Sequence, residues 1–291
     1  MEEKILELLR KQFKDADIKI IYRLMGGMSN YTYLVSVDGV LYTVRFPGEY
    51  SEKFVNRDLE ENGISLFEKL GLTNKTVYLN KEEGTKISYY TEGFALSDLK
   101  RSGKELPYDK VAYLLKEVHN SGLKAVNDYN PFLRLESYEK DLVELGFSLP
   151  NKYLEIKNKF LSFKNYLDSQ KKVLCHNDSQ PSNFVLDNSG KLMIVDFEFT
   201  GNNDLIYDIA CFANMELIDG ERLLKTYFGE VTSDENKRFY LWRSYQAFQW
   251  YNVAMFKELV GMSKTLKLDF KMIADSYLCQ AESNLLTAMK Y

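Results

Sequence analysis

The hydrophobic period of this chain changes once, from two to 3.6, and that change bounds the folds open to it. Up to about residue 92 the apolar residues fall in short runs rich in β-branched and aromatic side chains, at 18–24, 31–37 and 40–46. Asp38-Gly39, between the last two, is a two-residue signal for a type I′ hairpin. Residues 77–80 and 87–91 read as a second hairpin around Glu83-Gly84. Between the hairpins, Leu59, Leu66, Phe67 and Leu70 stand near helical spacing and predict a helix over 54–70, closed by Gly71. From Pro107 the period is helical: Val111, Leu114, Leu115 and Val118 follow i, i+3, i+4, i+7, and Gly122 stands where a C-cap is expected. Strands first and helices afterwards predict an α+β arrangement, with a small β-rich region at 1–92 and a larger, mostly helical one at 93–291.

Scarce residues narrow the chemistry. Two histidines, His119 and His176, and three cysteines, Cys175, Cys211 and Cys279, with no CxxC pair, exclude zinc sites built from several His and Cys ligands and indicate no disulfide framework. Lys plus Arg total 38 against 42 Asp plus Glu, a formal charge of −4, which argues against a nucleic-acid or polybasic membrane surface. The N-terminal stretch MEEKILELLRKQFKDADIKI is charged and amphipathic with no apolar h-region, and no segment approaches a membrane span. A soluble cytoplasmic protein is expected. His119, near a helix end, reads as a capping or buried hydrogen-bonding residue, and Cys175 as small apolar filling.

The helical region is interrupted once. VLCHNDSQPSNFVLDNSGKLMIVDFEF, residues 173–199, packs two short apolar strands around a DNSG turn. A strand pair set among helices is a poor packing choice, and loops on a rigid scaffold commonly carry chemistry. Asp178 and Asn183 are separated by four residues, and the hairpin then delivers Asp196. Phosphoryl transfer needs a carboxylate to orient the attacking hydroxyl and accept its proton, and oxygen ligands for magnesium. Asp178 fits the first role, Asn183 and Asp196 the second, and D-x4-N followed by a strand-borne D is the order found in kinases.

His176-Asn177-Asp178, Asn183 and Asp196-Phe197-Glu198 resemble the HxDxxxxN and DxE motifs of the choline/ethanolamine kinase and aminoglycoside phosphotransferase group, a branch of the protein-kinase-like fold. YDIA at 207–210, GGMSNYTYLV at 26–35, TVRFPG at 43–48 and the Asn56, Arg57, Glu60 set are similar to bacterial choline kinases. The resemblance covers most of residues 24–260. It implies a two-lobed kinase-like fold, with a nucleotide-binding lobe at 1–92 and a catalytic and substrate-binding lobe at 93–291. It also implies an enzyme that uses Mg2+ and ATP to phosphorylate a small amino alcohol, most simply choline, with ethanolamine kinase or aminoglycoside and sugar phosphotransferase as alternatives. A non-catalytic nucleotide-binding pseudokinase is the remote alternative, and the intact Asp178, Asn183 and Asp196 set argues against it.

Residue by residue, the resemblance makes Asp178 the catalytic base and Asn183 and Asp196 magnesium ligands. Glu198 binds a second metal or the cationic end of the substrate. Gly27, Ser29 and Asn30 lie in a glycine loop whose N–H groups could approach phosphates. Arg45, alternating with Leu41 and Thr43 on one strand face, places a fixed cation where kinases keep their phosphate-binding lysine, with Glu60 as its ion-pair partner. Tyr89, Tyr90 and Thr91 begin the interlobe hinge, which could read adenine. His176 and Asp208 brace the catalytic loop, Asp208 by accepting its backbone N–H groups. A quaternary ammonium offers no N–H donor, so its site uses aromatic faces, about 0.5–2 kcal/mol per ring. Tyr207, Trp250 and Tyr251 are the primary ring candidates, with Trp242 and Tyr245 on the same helical stretch. Bacterial choline kinases carry a WxxW pair before a KE there; Trp250 fits the first position, and Val253 replaces the second ring.

Overall fold

The computed structural model describes residues 1–24 and 30–291. Five antiparallel strands, β1 (Ile18–Leu24), β2 (Asn30–Val37), β3 (Val40–Pro47), β4 (Thr76–Asn80) and β5 (Thr85–Tyr89), form a sheet of order β1-β2-β3-β5-β4. Asp38 (φ 50°) and Gly39 (φ 82°) both take the left-handed region, as a type I′ turn requires, so Val37 faces Val40 and Thr32 faces Arg45. On the neighbouring strand Arg45 faces Lys86. The amphipathic helix Glu2–Gln12 closes one side of this sheet, with Ile5 and Leu9 buried in the cluster of Val35, Val37, Tyr42, Val44 and Ile87.

The helix expected over 54–70 runs Arg57–Lys69. It starts late because Asn56 caps it, its side chain accepting from the N–H groups of Asp58 (3.0 Å) and Leu59 (3.2 Å), a cap that contributes about 1 kcal/mol. Gly63 lets the helix approach the segment after Asp196. A Cβ there would stand 2.7 Å from the Thr200 side chain, and the Phe67 and Phe197 rings meet at 4.8 Å. That approach brings Glu60, one turn earlier on the helix, towards Glu198.

Later in the chain come β6 (Gly93–Ala95), β7 (Lys172–Cys175), β8 (Phe184–Asp187), β9 (Leu192–Ile194) and β10 (Gly201–Asp204). β6, β8 and β9 form one sheet, and β7 pairs with β10. The DNSG turn closes on Asp187, whose carboxylate accepts the N–H groups of Ser189 and Lys191 at 2.8 Å each, with Gly190 at φ 84°. The periodic segment after Pro107 is the helix Tyr108–His119, and Asn120 rather than Gly122 caps it. The 27-residue helix Ser233–Leu259 begins in a Thr232/Glu235 capping box and packs on the helix Phe270–Ala288.

By backbone packing the chain divides into two compact units, Met1–Asn127 with Asp178–Gly201, and Asp128–Asn177 with Asn202–Tyr291. Among the described residues no helix is long and apolar enough to cross a membrane.

Candidate active site

In the first unit, four carboxylates and three cations gather around the ends of β3 and β5. Arg45 grips Glu60 with two parallel bonds, Nη1 to Oε1 at 2.6 Å and Nη2 to Oε2 at 3.0 Å. Arg57 spans Glu60 (2.7 Å) and Glu198 (2.9 Å) through one nitrogen, Nη1. Asn30 donates to the same Glu198 Oε1 at 3.0 Å, and Arg45 Nη1 reaches it at 3.4 Å. Glu198 therefore takes its donors on one oxygen and presents the other. Lys86 Nζ lies 3.8 Å from Glu60 Oε1.

Charge in this buried cluster is unevenly satisfied. Burial alone would raise the pKa of Glu60, but Arg45, Lys86 and Arg57 outweigh it and bring it down to about 2. Burial likewise opposes the charge on Arg45, and Glu60, Glu198 and Asp196 overcome it, so its pKa stands above the ordinary value. Asp196 and Glu198 go the other way: burial raises both, and for Glu198 the neighbouring Asp196 adds to it. Lys86 is pushed down by burial and by Arg45, against the pull of the acids.

Asp178 enters this unit from the turn after β7. Its Oδ2 accepts from Asn183 Nδ2 at 2.9 Å and from Gln180 Nε2 at 3.2 Å, and the same Asn183 nitrogen bonds the Asp178 carbonyl at 2.7 Å. Burial, then the charge of Asp196, hold the Asp178 carboxyl well above the ordinary carboxylate range. The Asn183 carbonyl takes the Val195 N–H at 2.9 Å, which ties Asn183 to the residue before Asp196. Asp196 itself sits at φ 73°, a left-handed backbone unusual outside glycine and common at functional turns. Carboxylate oxygens of Glu60, Asp196 and Glu198 lie within 4.8 Å of one another. Asp196 Oδ1 is buried without a hydrogen bond among the described residues. An orphaned hard oxygen beside a second carboxylate with an uncommitted oxygen is the donor set that Mg2+ selects.

In the second unit, Asp208 accepts the backbone N–H groups of His176 (2.9 Å) and Asn177 (2.7 Å), the two residues ahead of Asp178 in the chain. Asn177, at φ 63°, also takes the Asn203 side-chain amide at 2.8 Å. His176 and Cys175 are fully buried, and burial pushes the Cys175 thiol well above its ordinary value, which removes it as a nucleophile. His119 is buried at the end of its helix.

The ring candidates separate. Tyr207 packs with Tyr129, Trp242 and Tyr245, and its hydroxyl and that of Tyr129 share Gln249 Oε1. Tyr251 packs on Tyr153, whereas Trp250 stacks on Tyr277 at 6.4 Å. Tyr207 and Tyr251 are each 1% exposed, and Trp250 is half-buried, so Trp250 alone of the three has a face open to a ligand here. Tyr89 is 41% exposed beside Tyr42. Tyr89 and Tyr90 donate their N–H groups to the carbonyls of Lys75 and Leu41, at 3.0 Å each. Gly27 and Ser29 lie outside the described residues.

Sequence reasoning missed the parts Arg57 and Lys86 play. Arg57 was visible three residues ahead of Glu60, the spacing that puts two side chains on one helix face. Lys86 had no signal without the β3–β5 register.

The family model described as "Choline/ethanolamine kinase" matches residues 21–222. The chain is 25% identical over 237 residues to Protein LicA of Haemophilus influenzae, a match covering 76% of this chain and 66%, just under two thirds, of that protein's length. In structure it is similar to the choline kinase LicA from Streptococcus pneumoniae, at a TM-score of 0.78 and 24% identity over 98% of this chain and 99% of that one. A mutant aminoglycoside 2′-phosphotransferase-IIIa in its GDP complex gives a TM-score of 0.70 at 16% identity, with 98% of each chain covered. These likenesses are to enzymes of the protein-kinase-like fold, and this chain has that fold's β-sheet N-terminal region and helical C-terminal region.

Proposed function

Because this chain belongs to the choline/ethanolamine kinase family, we propose that it transfers the γ-phosphoryl group of ATP to the hydroxyl of choline, giving phosphocholine and ADP. Residues 1–92 serve the nucleotide and 93–291 supply catalysis and the acceptor site. The observation that carries this reading is Asp178 held by Asn183 at 2.9 Å, in a cluster where a buried Asp196 oxygen takes no hydrogen bond and lies 3.8 Å from Arg45 Nη1. Asp178 orients the acceptor hydroxyl and takes its proton, and its raised affinity for protons suits a base that must accept one late in the reaction. Asn183, Asp196 and Glu198 would hold Mg2+, which neutralises charge on the β- and γ-phosphoryl oxygens when bound. Arg45 and Arg57 keep Glu60 and Glu198 in place.

The LicA structures to which this chain is similar include one in complex with AMP, which supports a nucleotide site here. A coupled ADP assay over choline, ethanolamine and aminoglycosides, with Mg2+ and with EDTA, tests the reading. Magnesium-dependent ADP release fastest with choline is expected. Aminoglycosides as the best acceptors, or no ADP release with any alcohol, would sink it. Ethanolamine is the second reading, favoured by one observation: Val253 stands where a second ring is expected, and it is buried.

Trp250→Ala should raise KM for choline about 2- to 30-fold, the equivalent of one ring at about 0.5–2 kcal/mol, with a smaller change for ethanolamine. An unchanged KM for choline clears Trp250 of a part in the site.

A further inference from the structure

We infer that Lys257 is a specificity-determining residue of the acceptor site, a fixed cation that tolerates one positive charge on the alcohol and excludes polycationic alcohols such as aminoglycosides; this rests on the choline reading above, with Trp250 as the ring. On the long helix Ser233–Leu259, Trp250, Val253 and Lys257 follow i, i+3, i+7 and share one face. Both ends of that stripe meet the helix Phe270–Ala288: Trp250 stacks on Tyr277, and Lys257 Nζ lies 5.6 Å from the centre of the Phe270 ring. Seven helical residues span about 10 Å, so a cation lying on the Trp250 face is within electrostatic reach of Lys257.

Lys257 is a buried charge without an acid. It is 5% exposed, and among the described residues its ammonium makes no hydrogen bond or ion pair. Burial alone lowers its pKa, to about 8, and no neighbouring charge offsets that. The acids around it are committed elsewhere. Glu258 accepts from the Ser263 hydroxyl, Asp269 caps its helix through the Met272 N–H at 2.8 Å, and Asp275 holds Lys271 at 2.5 and 2.6 Å. On the helices packed alongside, Glu139 takes the Tyr153 hydroxyl at 2.6 Å and Glu282 pairs with Lys152 at 2.8 Å. A methionine would fill the same space without burying a charge, so packing does not account for the lysine. An uncompensated ammonium repels any cation near it in proportion to that cation's charge. Such a repulsive element separates ligands that share the same attractive contacts: choline meets it once, a polyamino alcohol several times over.

The test is calorimetric binding to the full chain of small alcohols of rising charge: 3,3-dimethyl-1-butanol, which is neutral, choline, which carries one charge, and 1,3-diamino-2-propanol, which carries two. Wild type is compared with Lys257→Met and Lys257→Arg. At pH 7, Lys257→Met should leave the neutral alcohol within about twofold, tighten choline about 2- to 15-fold, and tighten the diamine by roughly the square of the choline factor. Lys257→Arg keeps the charge and should bind all three as wild type does. An equal change for all three alcohols, the mark of a structural effect, overturns the assignment, and so does no change in any. A variant-free arm covers a Lys257→Met that does not fold. Choline keeps its charge at every pH, so its affinity relative to the neutral alcohol should rise in wild type as pH passes upward through about 8 and Lys257 loses its proton. A flat ratio overturns the assignment as well. Choline binding without ADP release would sink the kinase reading and leave these binding comparisons intact.

Discussion

Replacing Asp178 by Asn should lower kcat by at least about 10²-fold, the typical loss for a general base, and should raise the thermal stability of the metal-free protein at neutral pH. The two effects share one cause. Asp178 is buried among acids, and burial and Asp196 hold its carboxyl well above the ordinary range. A carboxyl whose folded pKa is raised takes up protons on folding. Its ionised form therefore costs stability, which is lost as pH rises from the unfolded value of about 4 through the folded one. Asparagine removes that charge and keeps the shape. Both Asn183 and Gln180 donate to Oδ2, so the amide oxygen of the substitute can take the two bonds. Steady-state kinetics and thermal melts in EDTA decide the matter. The gain in Tm should be present at pH 7 and shrink below about pH 4, where the wild-type carboxyl is neutral in both states. A kcat within a few fold of wild type removes Asp178 from the role of base, and a lower Tm contradicts the electrostatic account.

What could be read from the chain and what could not divide along a physical line. Asp178, Asn183 and Asp196 were legible because their spacing lies within one stretch of 19 residues, and the hairpin between them is announced by DNSG. Arg45 with Glu60 was legible from strand alternation and the following helix, and the structure pairs them at 2.6 Å. The Lys86 placement depends on which residue of β5 faces Arg45, and register is a property of two strands rather than one. β10 escaped notice because its sequence, Gly-Asn-Asn-Asp, holds no β-branched or aromatic residue, and its pairing with β7 is imposed by the surrounding fold. The rings of Ser233–Leu259 misled in a different way. This helix is buried nearly all round, so apolar residues occupy every face and no stripe marks the one that meets a ligand. Trp242, Tyr245 and Tyr251 are core, and only Trp250 has an open face.

The ion-pair core of the sheet should prove as sensitive to change as the catalytic base. Arg45→Met leaves Glu60 fully buried with its two shortest Arg45 bonds gone, and removing one partner of such a pair costs about 3–5 kcal/mol. The electrostatics point the same way: Glu60 is held at about 2 against an ordinary 4.5, and Arg45 is the largest of the three cations that lower it. Because the folded pKa is depressed, this stabilisation is present above about pH 4.5 and is lost as pH falls through 2. Arg45→Met should therefore lower Tm by on the order of 10 °C at pH 7 and move the acid-unfolding midpoint to higher pH. Arg45→Lys should fall between, since an ammonium cannot reproduce two parallel bonds to one carboxylate. High salt should not reproduce the loss in the wild type, because a pair this buried is poorly screened. A Tm within about 2 °C of wild type, or a wild-type Tm that 1 M NaCl lowers as far as the substitution does, would show that the Arg45–Glu60 pair is not what holds this corner of the sheet together.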